Sequence, residues 1–236
     1  MRIFKLIVSL LLVFSLYTYF LFPCLAQDSV YVWSSGQEPL EEVESDLNSS
    51  AQENNSLNLE SASAILIEQS TGQVLYAHNI HEQLRPASVT KVMSILLIME
   101  ALDSGKINLT DQVPCSENAA SMGGSQIWLD PRETLSVDEM LKAICVNSAN
   151  DCVVAMAEFI AGSEDAFVQM MNDKAKELGM NDTTFKNCHG LDEDGHVTSS
   201  YDISLMSREL LSKHPDITKY TTIWMDTLRD RKVTTF

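Results

Sequence analysis

Positive charge is scarce in this chain. Its 236 residues carry 16 Lys and Arg against 33 Asp and Glu, a formal charge of −17, and no basic stretch interleaves with aromatic side chains. Such a surface repels phosphate backbones and anionic headgroups, so nucleic-acid binding is set aside. Cysteine is also sparse. Of five, Cys115, Cys145, Cys152 and Cys188 lie in the body of the chain, and none has the C-x-x-C spacing of a metal site. Cys188, His189 and His196 stand around "GLDEDG", which reads as a turn-rich loop rather than a ligand set, so no metal site is expected there. No internal repeat is evident.

Residues 1–26, "MRIFKLIVSLLLVFSLYTYFLFPCLA", place Arg2 and Lys5 ahead of an apolar run that ends at the small Ala26. This predicts a cleaved secretory signal peptide. The run from Leu6 to Leu25 is also long enough to span a bilayer, so an uncleaved anchor is the competing reading. Cys24 raises a lipid-attachment site, but Phe22 and Pro23 are bulky for one. In each case the remainder is exported, and loss of Arg2 and Lys5 takes the charge of −17 to −19. Residues 27–60 hold Asp28, Glu38, Glu41, Glu42, Glu44, Asp46, Glu53 and Glu60 and no Lys, Arg or His. Lacking apolar periodicity, they predict an acidic flexible linker. Residues 61–236 are long enough for one core. The four cysteines of an exported chain allow three pairings, which the sequence leaves open.

"SAILIEQSTGQVLYAHN", residues 63–79, reads as two short strands around a Ser-Thr-Gly turn. Helices are expected from about Pro86 to Asp103, from Ser136 with Glu139 in capping-box relation to about Val146, and from Asp151 to Ala161 before Gly162. Two more run from about Glu164 to Leu178 and from Tyr201 to Leu211. A hairpin followed by a mostly helical body makes the fold class α+β.

Within "RPASVTKVMSILLIMEAL", residues 85–102, Lys91 opens a segment that is apolar all round, the mark of a core helix. A buried ammonium near a helix N-terminus is opposed by desolvation and by the macrodipole, and both push its pKa down. Ser88 lies one turn earlier on the same face, a nucleophile beside a potential base. A lysine in a first turn also snorkels to water, so the pair alone does not settle a catalytic role. "VNSAND" puts Ser148 and Asn150 on a short turn between two apolar helices. Ser and Asn favour turns for local reasons, yet with Ser88 and Lys91 they supply a second hydroxyl and a carboxamide.

Together these motifs resemble those of the serine D-Ala-D-Ala carboxypeptidases, the low-molecular-mass penicillin-binding proteins. The likeness runs collinearly from about Ser63 to Leu211, through "RPASVTKVMS", "GSQIWLDPRETLSVDEMLKAICVNSANDCVVAMAEFIAGSEDAFVQMMNDKAKELGMNDTTFKN" and "HGLDEDGHVTSSYDISLMS". It implies a β-lactamase/transpeptidase-like fold whose antiparallel sheet contributes only its N-terminal hairpin here. It also implies an acyl-enzyme on Ser88, with Lys91 as base, Ser148 as proton relay and Asn150 orienting Lys91 and binding the substrate amide. The substrate would be a peptidoglycan stem peptide ending in D-Ala-D-Ala, β-lactams would be covalent inhibitors, and no cofactor is required. Gly124 and Ser125 would shape a loop beside the cleft, with Ser125 on the substrate-binding side. His189 and Asp202 are read as a loop hydrogen bond and a helix-start carboxylate.

The departure is that no Lys-Thr-Gly occurs before the last residues, "TLRDRKVTTF". The expectation is therefore an N-terminal portion of the enzyme, incomplete as a carboxypeptidase. Membrane contact is expected only through the N-terminal segment or missing C-terminal sequence, in a bacterial cell-wall or membrane-surface setting. Two alternatives remain. A class A β-lactamase would need a deacylating glutamate, for which Glu158 and Glu164 are the candidates; a wall-associated remnant would have no catalysis at all.

Overall fold

A computed structural model describes residue 57 and residues 59–229. The expected leader, and the linker except Leu57, Leu59 and Glu60, lie outside the described residues. Among the described residues no helix is long and apolar enough to cross a membrane.

The expected hairpin is present as β1 (Ala64–Ile67) and β2 (Val74–His78), antiparallel with Ala64 opposite His78. Its turn is built by one carboxylate. Glu68 accepts the backbone N–H groups of Ser70 and Thr71 and both hydroxyls, which holds its pKa down at about 2. Gly72 completes the reversal at φ 78°, a conformation costly for other residues.

A second, separate ladder stands among the described residues, one that the sequence reading did not pick out. β3 (Gln112–Pro114) pairs antiparallel with β4 (Thr134–Ser136), setting buried Val113 opposite buried Leu135. Strands this short show too little alternation to be seen in sequence, and their partners are distant along the chain.

The helical body follows the apolar pattern. A 3₁₀ turn over Ala87–Thr90 leads into α1 (Lys91–Asp103), whose Met93, Leu96 and Ile98 are fully buried. The α-helix thus starts at Lys91 rather than at Pro86. Ala87 takes a left-handed φ of 46°, which breaks the helical path just after the proline. A short α2 (Glu117–Ala120) precedes α3 (Val137–Asn147). The Ser136/Glu139 capping box is made in full, with Glu139 N–H donating to Ser136 Oγ and Ser136 N–H to Glu139 Oε2, satisfying two donors the helix start would leave orphaned.

Then come α4 (Asn150–Ala161), closed by Gly162 at φ 86°, and α5 (Glu164–Glu177), capped by Ser163. Last are α6 (Ser200–Lys213), capped by Ser199, a 3₁₀ turn at Pro215–Ile217 and a short α7 (Thr218–Thr221). Helix α1 packs against α4, α5 and α6, and α6 also touches β1. Phe167, Met171, Met156, Met206 and Phe185 fill the space between them; truncating such a side chain to Ala typically costs about 2–5 kcal/mol. Cys115, Cys145, Cys152 and Cys188 are all free thiols.

Two features set the stage for the site. Leu84 and Thr198 exchange backbone hydrogen bonds at 2.8 and 2.9 Å, tying the segment before Ser88 to the loop that follows α5. His196 then locks that loop to the 3₁₀ turn. Its Nδ1 accepts Lys186 N–H, so Nε2 carries the proton and donates to Thr90 Oγ1 at 2.7 Å.

Candidate active site

Ser88 sits exposed in the middle of the 3₁₀ turn, directly after left-handed Ala87. Lys91, only 3% exposed, is the first residue of α1. Its Nζ lies 3.2 Å from Ser88 Oγ and 2.6 Å from the backbone oxygen of His189. Burial lowers the ammonium pKa to about 8, so a substantial neutral fraction exists near neutrality. A neutral amine beside a solvent-facing hydroxyl is a proton acceptor beside a nucleophile.

The loop of residues 187–191 covers this pair from one side. Ser94, one turn beyond Lys91, donates to the Cys188 oxygen at 2.6 Å. Gly190 N–H donates to Asn187 Oδ1, and Leu191 N–H to His189 Nδ1. The imidazole is held neutral by burial, which lowers its pKa against the opposing pull of Glu164.

On the other side Ser148 ends α3 in a left-handed conformation, φ 56° and ψ 35°, and Asn150 opens α4. Asn150 N–H donates to the Ser125 oxygen and its Nδ2 to the Gly123 oxygen, both at 2.7 Å. Asn150 Oδ1 is buried with no partner among the described residues. A Cβ on Gly124 would stand 2.9 Å from Asn150 Nδ2 and 3.5 Å from Leu191 Cδ2, so residues 123–125 wedge between Asn150 and the 187–191 loop. Asp151, fully buried, accepts Ile127 N–H and Leu129 N–H at 3.1 Å each and so fixes the path of that segment. Ala87, next to Ser88, and Ser148, two residues before Asn150, are both left-handed, the kind of backbone strain that the surrounding packing must maintain.

The D-alanyl-D-alanine carboxypeptidase family, peptidase family S11, matches residues 48–236. This chain belongs to the D-alanyl-D-alanine carboxypeptidase family. It is 58% identical over 171 residues to D-alanyl-D-alanine carboxypeptidase DacF of Bacillus subtilis, covering 72% of this chain and 44% of that one. Penicillin-binding protein 5 of Haemophilus influenzae superposes with a TM-score of 0.71 at 30% identity, over 73% of this chain and 51% of that one. Penicillin-binding protein D2 of Listeria monocytogenes in its ampicillin-bound form gives 0.65 at 28% identity, over 74% and 71%. The fold is therefore the β-lactamase/transpeptidase-like α+β fold of these penicillin-binding proteins. The chain spans 40–44% of the length of the curated relatives DacF, and DacC and DacD of Escherichia coli.

Within this carboxypeptidase-family chain the structure joins Ser88 directly to Lys91, and brings Asn150 and Ser125 together. It does not give Asn150 the expected hold on Lys91. The Lys91 bonds go to Ser88 and His189, Asn150 Nδ2 donates to the Gly123 oxygen, and Asn150 Oδ1 stays without a partner among the described residues. Ser148 Oγ makes no hydrogen bond to Ser88 or Lys91 among the described residues, and Ser125 contributes its backbone oxygen while its side chain is exposed. His189 makes the expected loop hydrogen bond. Its carbonyl, however, is the Lys91 contact that sequence reasoning missed, because a backbone oxygen leaves no signature in residue type. Asp202 stands at the start of α6, accepting Asp182 N–H and the Thr183 hydroxyl. Glu158 is engaged by Asn118, and Glu164 by Cys188 and His189.

Proposed function

We propose that this protein is a serine D-Ala-D-Ala carboxypeptidase acting on peptidoglycan stem peptides. The observation that carries the reading is the buried Lys91 amine, 3.2 Å from Ser88 Oγ, with its pKa lowered to about 8. Ser88 Oγ attacks the carbonyl carbon of the penultimate D-Ala while Lys91 takes its proton. The tetrahedral intermediate collapses, the C–N bond breaks, and the terminal D-Ala leaves with a proton relayed through Ser148. Asn150 hydrogen-bonds the substrate amide and Ser125 lies on the substrate-binding side. The Ser88 N–H, in the turn that opens α1, is one donor for the oxyanion. Water then hydrolyses the ester. A β-lactam enters the same step, but its ring opens without releasing a leaving group and the ester persists. Such a substrate places the protein outside the cytoplasmic membrane, at the cell wall or membrane surface. Residues 1–26 fit an export signal and residues 27–60 an acidic tether.

A β-lactamase would need Glu158 or Glu164 on deacylating water at Ser88, and the hydrogen bonds of both carboxylates are directed elsewhere. The deciding experiment incubates the protein with a fluorescent penicillin and with a D-Ala-D-Ala peptide. A stable ester mapped to Ser88 by mass spectrometry, absent in Ser88→Ala, together with D-Ala release, is the expected result. Label on another residue, or rapid penicillin turnover, sinks it.

A further inference from the structure

Proximity alone does not make Lys91 a base for Ser88. A neutral amine carries one lone pair and two N–H groups, and it accepts the serine proton only when the lone pair faces Oγ. One N–H is committed to the His189 oxygen at 2.6 Å, which fixes the rotation of the amine. Whatever places that carbonyl therefore aims the base.

Three sides hold it. From α1, Ser94 Oγ donates to the Cys188 oxygen, so two consecutive carbonyls of the loop seat on two consecutive turns of the helix. From the front, Gly190 is pressed against the Ala87 oxygen, which a Cβ would meet at 1.9 Å. From behind stands Glu164, the first residue of α5. Its Oε1 receives Cys188 N–H at 3.4 Å and the Cys188 thiol at 3.3 Å, and it faces His189 Nε2 at 3.4 Å. Because His189 Nδ1 accepts Leu191 N–H, the ring proton resides on Nε2, the ring nitrogen nearer to Glu164. One carboxylate oxygen thus takes both donors of Cys188, with the His189 ring beside it.

The geometry points to Glu164 as a positioning residue for Lys91, holding the Cys188–His189 backbone so that the His189 carbonyl turns the amine lone pair toward Ser88. Glu164 is bonded to neither Ser88 nor Lys91. This rests on the acyl-enzyme reading above and adds to it the group that orients its base.

The test is the acylation of the full chain by a fluorescent penicillin in stopped flow, separating the dissociation constant of the encounter complex from the acylation rate constant. Glu164→Ala removes the acceptor and is expected to lower the rate constant by about 10-fold or more while the dissociation constant stays within about 2-fold, since misplacement of a reacting group by ångströms has effects of this size. Glu164→Gln keeps an oxygen acceptor at the same reach and is expected to stay within about 3-fold of wild type. Glu164→Asp keeps the charge at the helix start, where it is favoured, but withdraws the oxygen; it should be slow like Ala, and it tests the idea should Glu164→Ala fail to fold. Wild-type rates in folded Glu164→Ala or Glu164→Asp overturn the proposal. So does a Glu164→Gln as slow as Glu164→Ala, which would make charge rather than placement the cause. If wild type itself forms no ester on Ser88, the carboxypeptidase reading falls and this inference falls with it. Wild-type acylation alongside unaffected variants removes this inference alone.

Discussion

Gly190 lies so close to Ala87 that a methyl group on its Cα would stand 1.9 Å from the Ala87 carbonyl oxygen and 3.0 Å from Thr90 Oγ1. The loop that carries the His189 carbonyl and the turn that carries Ser88 are therefore in backbone contact, and the contact admits only glycine, which is also at φ 93°. Gly190→Ala must push the two apart. We expect a loss of about 3 kcal/mol or more in urea unfolding, since strain and overpacking add, together with loss of penicillin labelling. A variant of unchanged stability that labels normally would show that the loop can move without disturbing Lys91.

Acylation should be base-limited on the acid side. In the proposed step the reactive form of Lys91 is the neutral amine, and its pKa is lowered to about 8. The acylation rate constant is therefore expected to rise about tenfold per pH unit below that value and to level off above it. Measurement between pH 6 and 9.5 checks this. A profile flat across that range would remove Lys91 as the base.

The same burial makes Lys91 a cost to the fold. In the unfolded chain the ammonium titrates near 10.5 and in the folded chain near 8, so between these values the unfolded state binds more protons and stability rises with pH. Below pH 8 the penalty is complete, about 3 kcal/mol at 1.36 kcal/mol per unit. Lys91→Met removes it at the expense of one buried hydrogen bond, worth about 1–2 kcal/mol. The variant should be catalytically dead yet about 1–2 kcal/mol more stable at pH 7, with the advantage gone near pH 10.5. Denaturant midpoints at pH 7 and pH 10 test the sign.

Asp151 collects the N–H groups of Ile127 and Leu129 in a fully buried position. Asp151→Ala strands both donors, and we expect a loss of about 2–4 kcal/mol. Hydrogen exchange at Ile127 and Leu129 should accelerate more than exchange in α1. Uniform acceleration would mean that Asp151 supports the whole core rather than this loop.

Sequence made the helices legible because their signals are local. The apolar run after Lys91, the Ser136/Glu139 box and the Gly162 stop each occupy one turn or one helix, and each appears where its pattern put it. The Ser88–Lys91 contact was legible for the same reason, the two residues lying three apart on one face. What was hidden depends on backbone atoms and distant partners. The pairing of Val113 with Leu135 needs two three-residue strands to meet. The left-handed Ala87, which delays the α-helix, has no residue-type cue. The expected Asn150–Lys91 contact gave way to the His189 carbonyl, a backbone oxygen 98 residues from Lys91 that leaves no mark in residue type.

The grip of the 187–191 loop on α1 also sets a clock. His189 is 98 residues beyond Lys91, and Cys188 is 94 beyond Ser94. At about 5–20 residues per second of synthesis, the Ser88–Lys91 turn emerges about 5–20 s before the carbonyl that completes it. Through that interval the nascent chain carries both reactive groups with no means of aiming one at the other. On the proposed acyl-enzyme chemistry, covalent capture by penicillin would report more than the presence of Ser88: a labelled molecule would be one in which the two ends of a loop of nearly a hundred residues have closed on each other.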